Sequence, residues 1–205
     1  MRDDAGEAGV MTVVCRIPGT GGGDLDWILS RPEYGVEYQP LVSLADGTVA
    51  GFEALTRFRD PFGRPLPPDR VFEALHAFPA DLFTVEYRAK QCQIAHAPAG
   101  VPLYLNIDPD AVLAGGDGPD NPLLALVGDG VGRVVEITEN LSLSDARISL
   151  AMLARFRDRR VRLALDDLGA RDTLTSFEVL ARVDDVKLAR DWLDRRDDLA
   201  QMALL

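Results

Sequence analysis

Short apolar runs alternate with longer stretches of helical periodicity from Tyr34 almost to the end of the chain. Six of the runs read as strands: Val36 to Leu44, Val49 to Phe58, Pro102 to Ile107, Arg133 to Thr138, Val161 to Leu165 and Val183 to Leu188. The turn Ala45-Asp46-Gly47 separates the first two. After the second, the Pro/Gly-rich loop DPFGRPLPPD ends in Pro67-Pro68-Asp69, a helix start signal. Val71 to Phe78 and Ala80 to Ala95 then repeat with helical spacing. A short helix is expected over Leu123 to Val127, beyond the glycine-rich loop AGGDGPDNP. A longer one is expected from Ser142 to Asp158, where Ile148, Met152, Leu153 and Phe156 recur at three- and four-residue steps. Ser142 and Asp145 have the form of a capping box there. Further helices are expected over Asp24 to Ser30, over Leu174 to Ala181, and from Arg190 on, with an apolar stripe of Trp192, Leu193, Leu199, Met202 and Ala203.

Strands alternating with helices at this spacing predict an α/β fold with a mostly parallel sheet. Two architectures fit, a doubly wound open sheet and a (β/α)8 TIM-like barrel. Polar residues at the strand ends separate them. Glu53 stands in GFEAL, Asn106 in LYLNID, Glu136 in RVVEITE, and Asp166-Asp167 in RLALDDLG, each toward the carboxyl end of its run. An open sheet gathers its ligand at one switch point, whereas a barrel draws on the carboxyl ends of many strands. The expectation is therefore a barrel over residues 25–205 with about six strand–helix units, preceded by a flexible leader over residues 1–24. The leader's GTGGGDLDW is no phosphate loop, since it lacks a preceding strand and a following Lys-Ser or Lys-Thr.

Composition narrows the function. With 33 acidic against 22 basic residues the formal net charge is −11, which argues against broad binding to DNA or RNA. A small anionic ligand remains open, given local compensation by metal ions or a few placed cations. No apolar run approaches the roughly 18 residues of a membrane span, and the acidic N-terminus is not a secretory signal. Cys15 and Cys92 lie far apart without metal-ligand spacing and are expected to be free thiols in a reducing cytoplasm.

Burying a carboxylate is costly unless it is paired or metal-bound. Taken singly, each strand-end acid reads as a solvated loop residue, and Asp-Asp before Leu-Gly as a turn. Together, four carboxylates and an amide at one sheet edge point to divalent cations. The donors are all oxygen, with no Cys or His nearby, so Mg2+ or Mn2+ is expected rather than zinc. Enough ligands are present for two ions, an arrangement suited to phosphodiester hydrolysis. Arg57 lies four residues beyond Glu53 on the same strand and faces the same side, where its guanidinium can grip a phosphate. Lys187 ends the sixth strand with an ammonium suited to a phosphate or an attacking water.

These motifs resemble those of the EAL domain family, the cyclic di-GMP phosphodiesterases of bacterial second-messenger signalling. EALTR at Glu53 to Arg57 carries the name; YQPLV, LYLNID, EITEN, DDLG and VKLAR follow the family's order and spacing. The resemblance covers roughly residues 25–205. It implies that Glu53, Asn106, Glu136, Asp166 and Asp167 hold a two-metal site and that Gln39, Leu55 and Arg57 contact the ligand. It also implies that Lys187 is the active-site lysine and that Glu139 holds the loop after the fifth strand. The implied reaction is hydrolysis of cyclic di-GMP to linear pGpG.

Three departures set the alternatives. Ala189 stands where the family has an aspartate two residues after its lysine, so turnover is in question. GARDTLTSF replaces a loop that usually reads close to GTGYSSL, while DDLG is a mild variant of DDFG. The chain also stops before the family's last two strand units, so the barrel is expected to be incomplete at the C-terminus. The chain is then expected to be a piece of a longer protein; the alternatives are a homodimer or a partner chain completing the barrel, or a rearrangement of the remaining strands. The competing reading is an EAL-like domain without turnover, acting as a cyclic di-GMP receptor or a protein-interaction module.

Overall fold

The computed structural model describes residues 10–16, 33–60, 62–116, 118, 120–128, 132–138, 143–170, 176–190 and 192. The chain divides into two compact units, residues 1–134 and 135–205.

In the first unit, β1 (Met11–Arg16), β2 (Glu33–Val42), β3 (Val49–Arg59) and β5 (Leu103–Asn106) lie side by side in that order, and the short β4 (Pro65–Leu66) pairs with β3. β2 pairs antiparallel with β1 on one side and with β3 on the other, and β5 runs parallel to β3. The β2–β3 turn is tied by Asp46, whose carboxylate accepts from the Thr48 N–H at 3.1 Å and its hydroxyl at 2.8 Å. Gly47 follows with φ +73°.

Strand alternation then sorts the side chains. Val36 and Tyr38 of β2 are buried with Ala54, Thr56 and Phe58 of β3. Behind that face, α1 (Pro68–Leu75) buries Val71 and Leu75, and α2 (Pro79–Ala95) buries Leu82, Val85, Ala89 and Cys92. Polar pins fix the packing. The Tyr38 hydroxyl donates to Gln93 O at 2.7 Å, and Gln93 Nε2 donates to Ala54 O and Thr56 Oγ1 at 2.9 and 3.1 Å. The same helix buries an ion pair, Lys90 with Glu86, at 3.4 Å. Burial pushes the Glu86 carboxyl upward against the pull of Lys90, and its Oε1 accepts the Asp108 N–H at 3.1 Å.

Asp108 caps α3 (Pro109–Ala114), accepting from Asp110 N and Ala111 N. Sequence periodicity did not anticipate this helix, although Asp-Pro is a cap followed by proline at the first helical position. The glycine-rich loop beyond it is organised by buried Asn121, which donates to Val112 O and Gly116 O and caps α4 (Pro122–Gly128) through Leu123 N and Leu124 N.

The second unit takes in β6 (Arg133–Thr138) from Val135 on, followed in order by β7 (Arg162–Leu168) and β8 (Asp185–Leu188), with α5 (Leu143–Asp158) and α6 (Phe177–Leu180) between them. β7 and β8 are parallel. Val135, Ile137, Met152, Leu153, Phe156, Leu163, Ala164 and Leu165 are buried. Among the described residues β8 is the last strand of its sheet.

The α/β class and all six expected strands are present, with two differences. Residues 11–16, inside the expected flexible leader, form β1; their TVV run has strong strand propensity. Most of the remaining leader, the Asp24 to Ser30 helix, the Ser142 cap and most of the last helix lie outside the described residues. Cys92 is disulfide-bonded rather than a free thiol, because pairing depends on which distant positions the fold brings together and not on sequence spacing. No helix among the described residues is long and apolar enough to cross a membrane.

Candidate functional site

The second face of the β2–β3 hairpin carries the expected ligand-binding residues of the first unit. Cross-strand partners share a face, and the register pairs Gln39 with Glu53, Glu37 with Leu55 and Gly35 with Arg57. Gln39 is exposed, and Glu37, Glu53, Leu55 and Arg57 are half-buried. β5 extends this face, because Glu53 pairs with Tyr104 and Asn106 follows two residues later. Asn106 Nδ2 donates to Glu53 Oε1 at 2.9 Å. With the NH2 turned to that carboxylate, oxygen is the atom the amide offers a cation.

Arg57 is not poised alone. Its Nε and Nη2 donate to the two carboxylate oxygens of Glu37 at 2.9 and 2.8 Å, and its Nη1 donates to Thr56 O at 3.0 Å. Sequence reasoning missed Glu37. The signal was the hairpin register, which sets Glu37 diagonally from Arg57 and leaves only Gly35 directly opposite. A Cβ on Gly35 would lie 3.0 Å from the Arg57 Cβ. The hydrogen bond from Arg57 holds the Glu37 carboxyl below its ordinary range, against a smaller opposing effect of burial.

In the second unit the structure gathers Glu136, Asp166 and Lys187. Glu136 is fully buried on β6. Lys187 Nζ lies 2.8 Å from Glu136 Oε1 and 3.1 Å from Asp166 Oδ1. The Glu136 contact is charge-balanced but lacks the alignment of a hydrogen bond. The alternation of β8 turns Lys187 inward and leaves Val186 and Leu188 exposed.

Asp166 and Asp167 lie among the last three residues of β7, which runs on to Leu168, beyond the expected last residue Leu165. The β7–β8 register shifts between Leu165 and Leu168, and Asp167 adopts φ +55°. This bulge breaks the alternation that would put neighbouring residues on opposite faces. The Asp167 N–H donates to Asp166 Oδ1 at 3.0 Å, and the Asp167 side chain is exposed. Gly169, at φ +78°, follows beneath Trp192, whose Nε1 donates to Leu168 O at 2.9 Å. A Cβ on Gly169 would lie 2.4 Å from that nitrogen. Ala189 is buried, and its N–H donates to Leu168 O at 3.1 Å. Glu139 lies outside the described residues.

The donors in both units are carboxylate and amide oxygens, the chemistry of hard divalent cations. The oriented Asn106 amide and the buried Glu136 carboxylate fit such ions; no thiolate or imidazole stands among these residues.

The family pattern described as "EAL domain" matches residues 24–203. A Caulobacter vibrioides protein described as "Uncharacterized signaling protein" is 31% identical over 170 residues, covering 75% of this chain and 20% of that protein. The chain thus spans about a fifth of that relative's length. Among solved structures, "PaMucR Phosphodiesterase, c-di-GMP complex" shares 22% identity at a TM-score of 0.62, over 86% of this chain and 76% of that one. The manganese/cy-diGMP complex of Klebsiella pneumoniae BlrP1 shares 22% identity at a TM-score of 0.52, over 89% of this chain and 45% of that one. At these identities the structural likeness is one of fold.

Proposed function

The chain belongs to the EAL domain family, and from that premise we propose that it binds cyclic di-GMP and hydrolyses one of its phosphodiester bonds, giving pGpG, with Mg2+ or Mn2+. The observation that carries this reading is the Lys187 ammonium between two strand-end carboxylates, Glu136 and Asp166. A cation is built into a position where buried negative charge would otherwise be uncompensated.

Glu53, Asn106, Glu136, Asp166 and Asp167 are the residues we assign to the metal ions, which when bound supply Lewis acidity and lower the pKa of water. Asn106 keeps its amide oxygen oriented by donating to Glu53. Lys187 has three N–H donors, and its ammonium is suited to orienting a water or a phosphoryl oxygen beside the carboxylates it balances. Arg57 is the phosphate-facing cation of the first unit. Gln39 and Leu55, on the same hairpin face, complete the ligand-contacting set, and Glu139 keeps its assigned role of holding the loop after β7.

A second reading is favoured by Ala189, whose buried methyl stands where the family resemblance calls for an acid. Recognition of the dinucleotide does not need that carboxylate, whereas turnover depends on groups that act in the transition state. On this reading the domain is a cyclic di-GMP receptor.

Both are tested by adding cyclic di-GMP to the purified chain with Mn2+ or Mg2+, following binding by calorimetry and pGpG by chromatography. The phosphodiesterase reading expects product that disappears in Glu53→Ala. Tight binding without product moves the assignment to the receptor. Neither binding nor product overturns both.

A further inference from the structure

Glu37 is a charged residue that the assigned chemistry leaves unused, and it is paired with the residue expected to grip phosphate. We propose that Glu37 is an internal counter-anion for Arg57 that sets how tightly this domain holds a phosphate-bearing ligand; the proposal rests on the reading of Arg57 as a phosphate-facing residue.

The geometry is that of an occupied anion site. A guanidinium has five N–H donors and prefers planar, two-pronged acceptors, carboxylate or phosphate. Glu37 takes the Nε and Nη2 side with both oxygens, at 2.9 and 2.8 Å, and Thr56 O takes a donor from Nη1. Three of the five donors are thereby engaged, and the positive charge is already balanced. An incoming phosphate has two routes. It displaces the carboxylate and takes the same side of the fork, or it approaches the remaining donors against the repulsion of a neighbouring anion. Either route lowers affinity relative to an unpaired arginine.

The pair is also reachable. The Arg57 and Glu37 side chains are 37% and 27% exposed, so neither is locked into the core, and a half-exposed pair exchanges partners at modest cost. Two features of the hairpin build it in. The register brings Glu37 diagonally to Arg57, and Gly35 leaves the directly opposite position without a side chain. A side chain at Gly35 would crowd the Arg57 Cβ and disturb the pairing.

The test is a four-protein cycle: wild type, Glu37→Gln, Arg57→Met and the double variant, each titrated with cyclic di-GMP in Mn2+. Glu37→Gln keeps shape and removes charge, so it is expected to bind roughly three- to tenfold tighter while its thermal midpoint stays level or falls slightly. A purely structural residue would not raise affinity while lowering stability. The gain is expected to vanish in the Arg57→Met background. Unchanged or weaker binding in Glu37→Gln, or a gain that survives without Arg57, overturns the proposal.

The same four proteins are titrated with inorganic phosphate, following the Arg57 Nε–H resonance where Arg57 is present. This separates the two readings. If no variant binds cyclic di-GMP, the proposed function fails, and a stronger phosphate response in Glu37→Gln than in wild type still supports the counter-anion. An equal or weaker phosphate response overturns it.

Discussion

The two units hold their strand-end carboxylates in opposite ways. In the first, Glu53 is half-buried and meets the neutral amide of Asn106. In the second, Glu136 is fully buried and meets the ammonium of Lys187, which Asp166 shares. A half-exposed carboxylate retains water and needs no counter-charge to be tolerated. A fully buried one is tolerated only with compensation. The second group is therefore part of what keeps its unit folded, while the first is held ready with little energetic consequence for the fold.

The largest expected effect breaks the second group. Lys187→Met leaves Glu136 buried without its cation and should destabilise the domain by about 3–5 kcal/mol. Denaturant unfolding measures this, and Glu136→Gln added to Lys187→Met should recover much of the loss. Added Mn2+ should restore the single variant more than it stabilises wild type, by mass action on the folded state. A Lys187→Met variant as stable as wild type would erase the contrast between the units.

Next comes the bulge that presents Asp166 and Asp167. Gly169→Ala combines φ +78° with a Cβ placed 2.4 Å from Trp192 Nε1 and should cost about 2–4 kcal/mol. The loss should be visible in the thermal midpoint and in the near-ultraviolet signal of the tryptophan.

A smaller effect belongs to the first unit, whose polar hairpin face is anchored from behind by Tyr38. Burial pushes the Tyr38 hydroxyl up to about 12 from its ordinary 10. Below pH 10 the group is neutral in both folded and unfolded chains and stability does not depend on it. Between pH 10 and 12 the unfolded chain loses this proton and the folded one keeps it. Stability should therefore fall with rising pH, by about 2–3 kcal/mol across that window. Urea unfolding at stepped alkaline pH checks it, and Tyr38→Phe should flatten this component.

The smallest effect on stability sharpens the contrast most. Glu53→Gln leaves an acceptor for Asn106 and should change stability by about 1 kcal/mol or less. It should nevertheless reduce pGpG formation by about a hundredfold or more. A large loss of stability here would show that the first group, too, serves the fold.

Much of this was legible in the chain. Strand positions followed from apolar runs, and the candidate ligands from their place at the ends of those runs, since both depend on local order along the sequence. The short α3 was signalled by Asp108-Pro109 but is only one and a half turns or so long, too short for periodicity to report. β1 was hidden in a glycine-flanked stretch because a strand is stabilised by the neighbour it pairs with, and the neighbour begins at Glu33.

The sequence by itself determined which residues are the candidates for the chemistry, namely the carboxylates, Asn106, Arg57 and Lys187, and through their motifs the family. Only the tertiary structure decided their partners. It set Glu37 against Arg57 through hairpin register, drew Lys187 to Glu136 and Asp166 through the strand order β6-β7-β8, and turned Asp166-Asp167 out of strand alternation through a bulge. It also put Cys92 into a disulfide. The reason is the same in each case. Residue type and local pattern fix what a side chain can do, but charge balance and burial are properties of neighbours far away in sequence, and those exist only once the strands have paired.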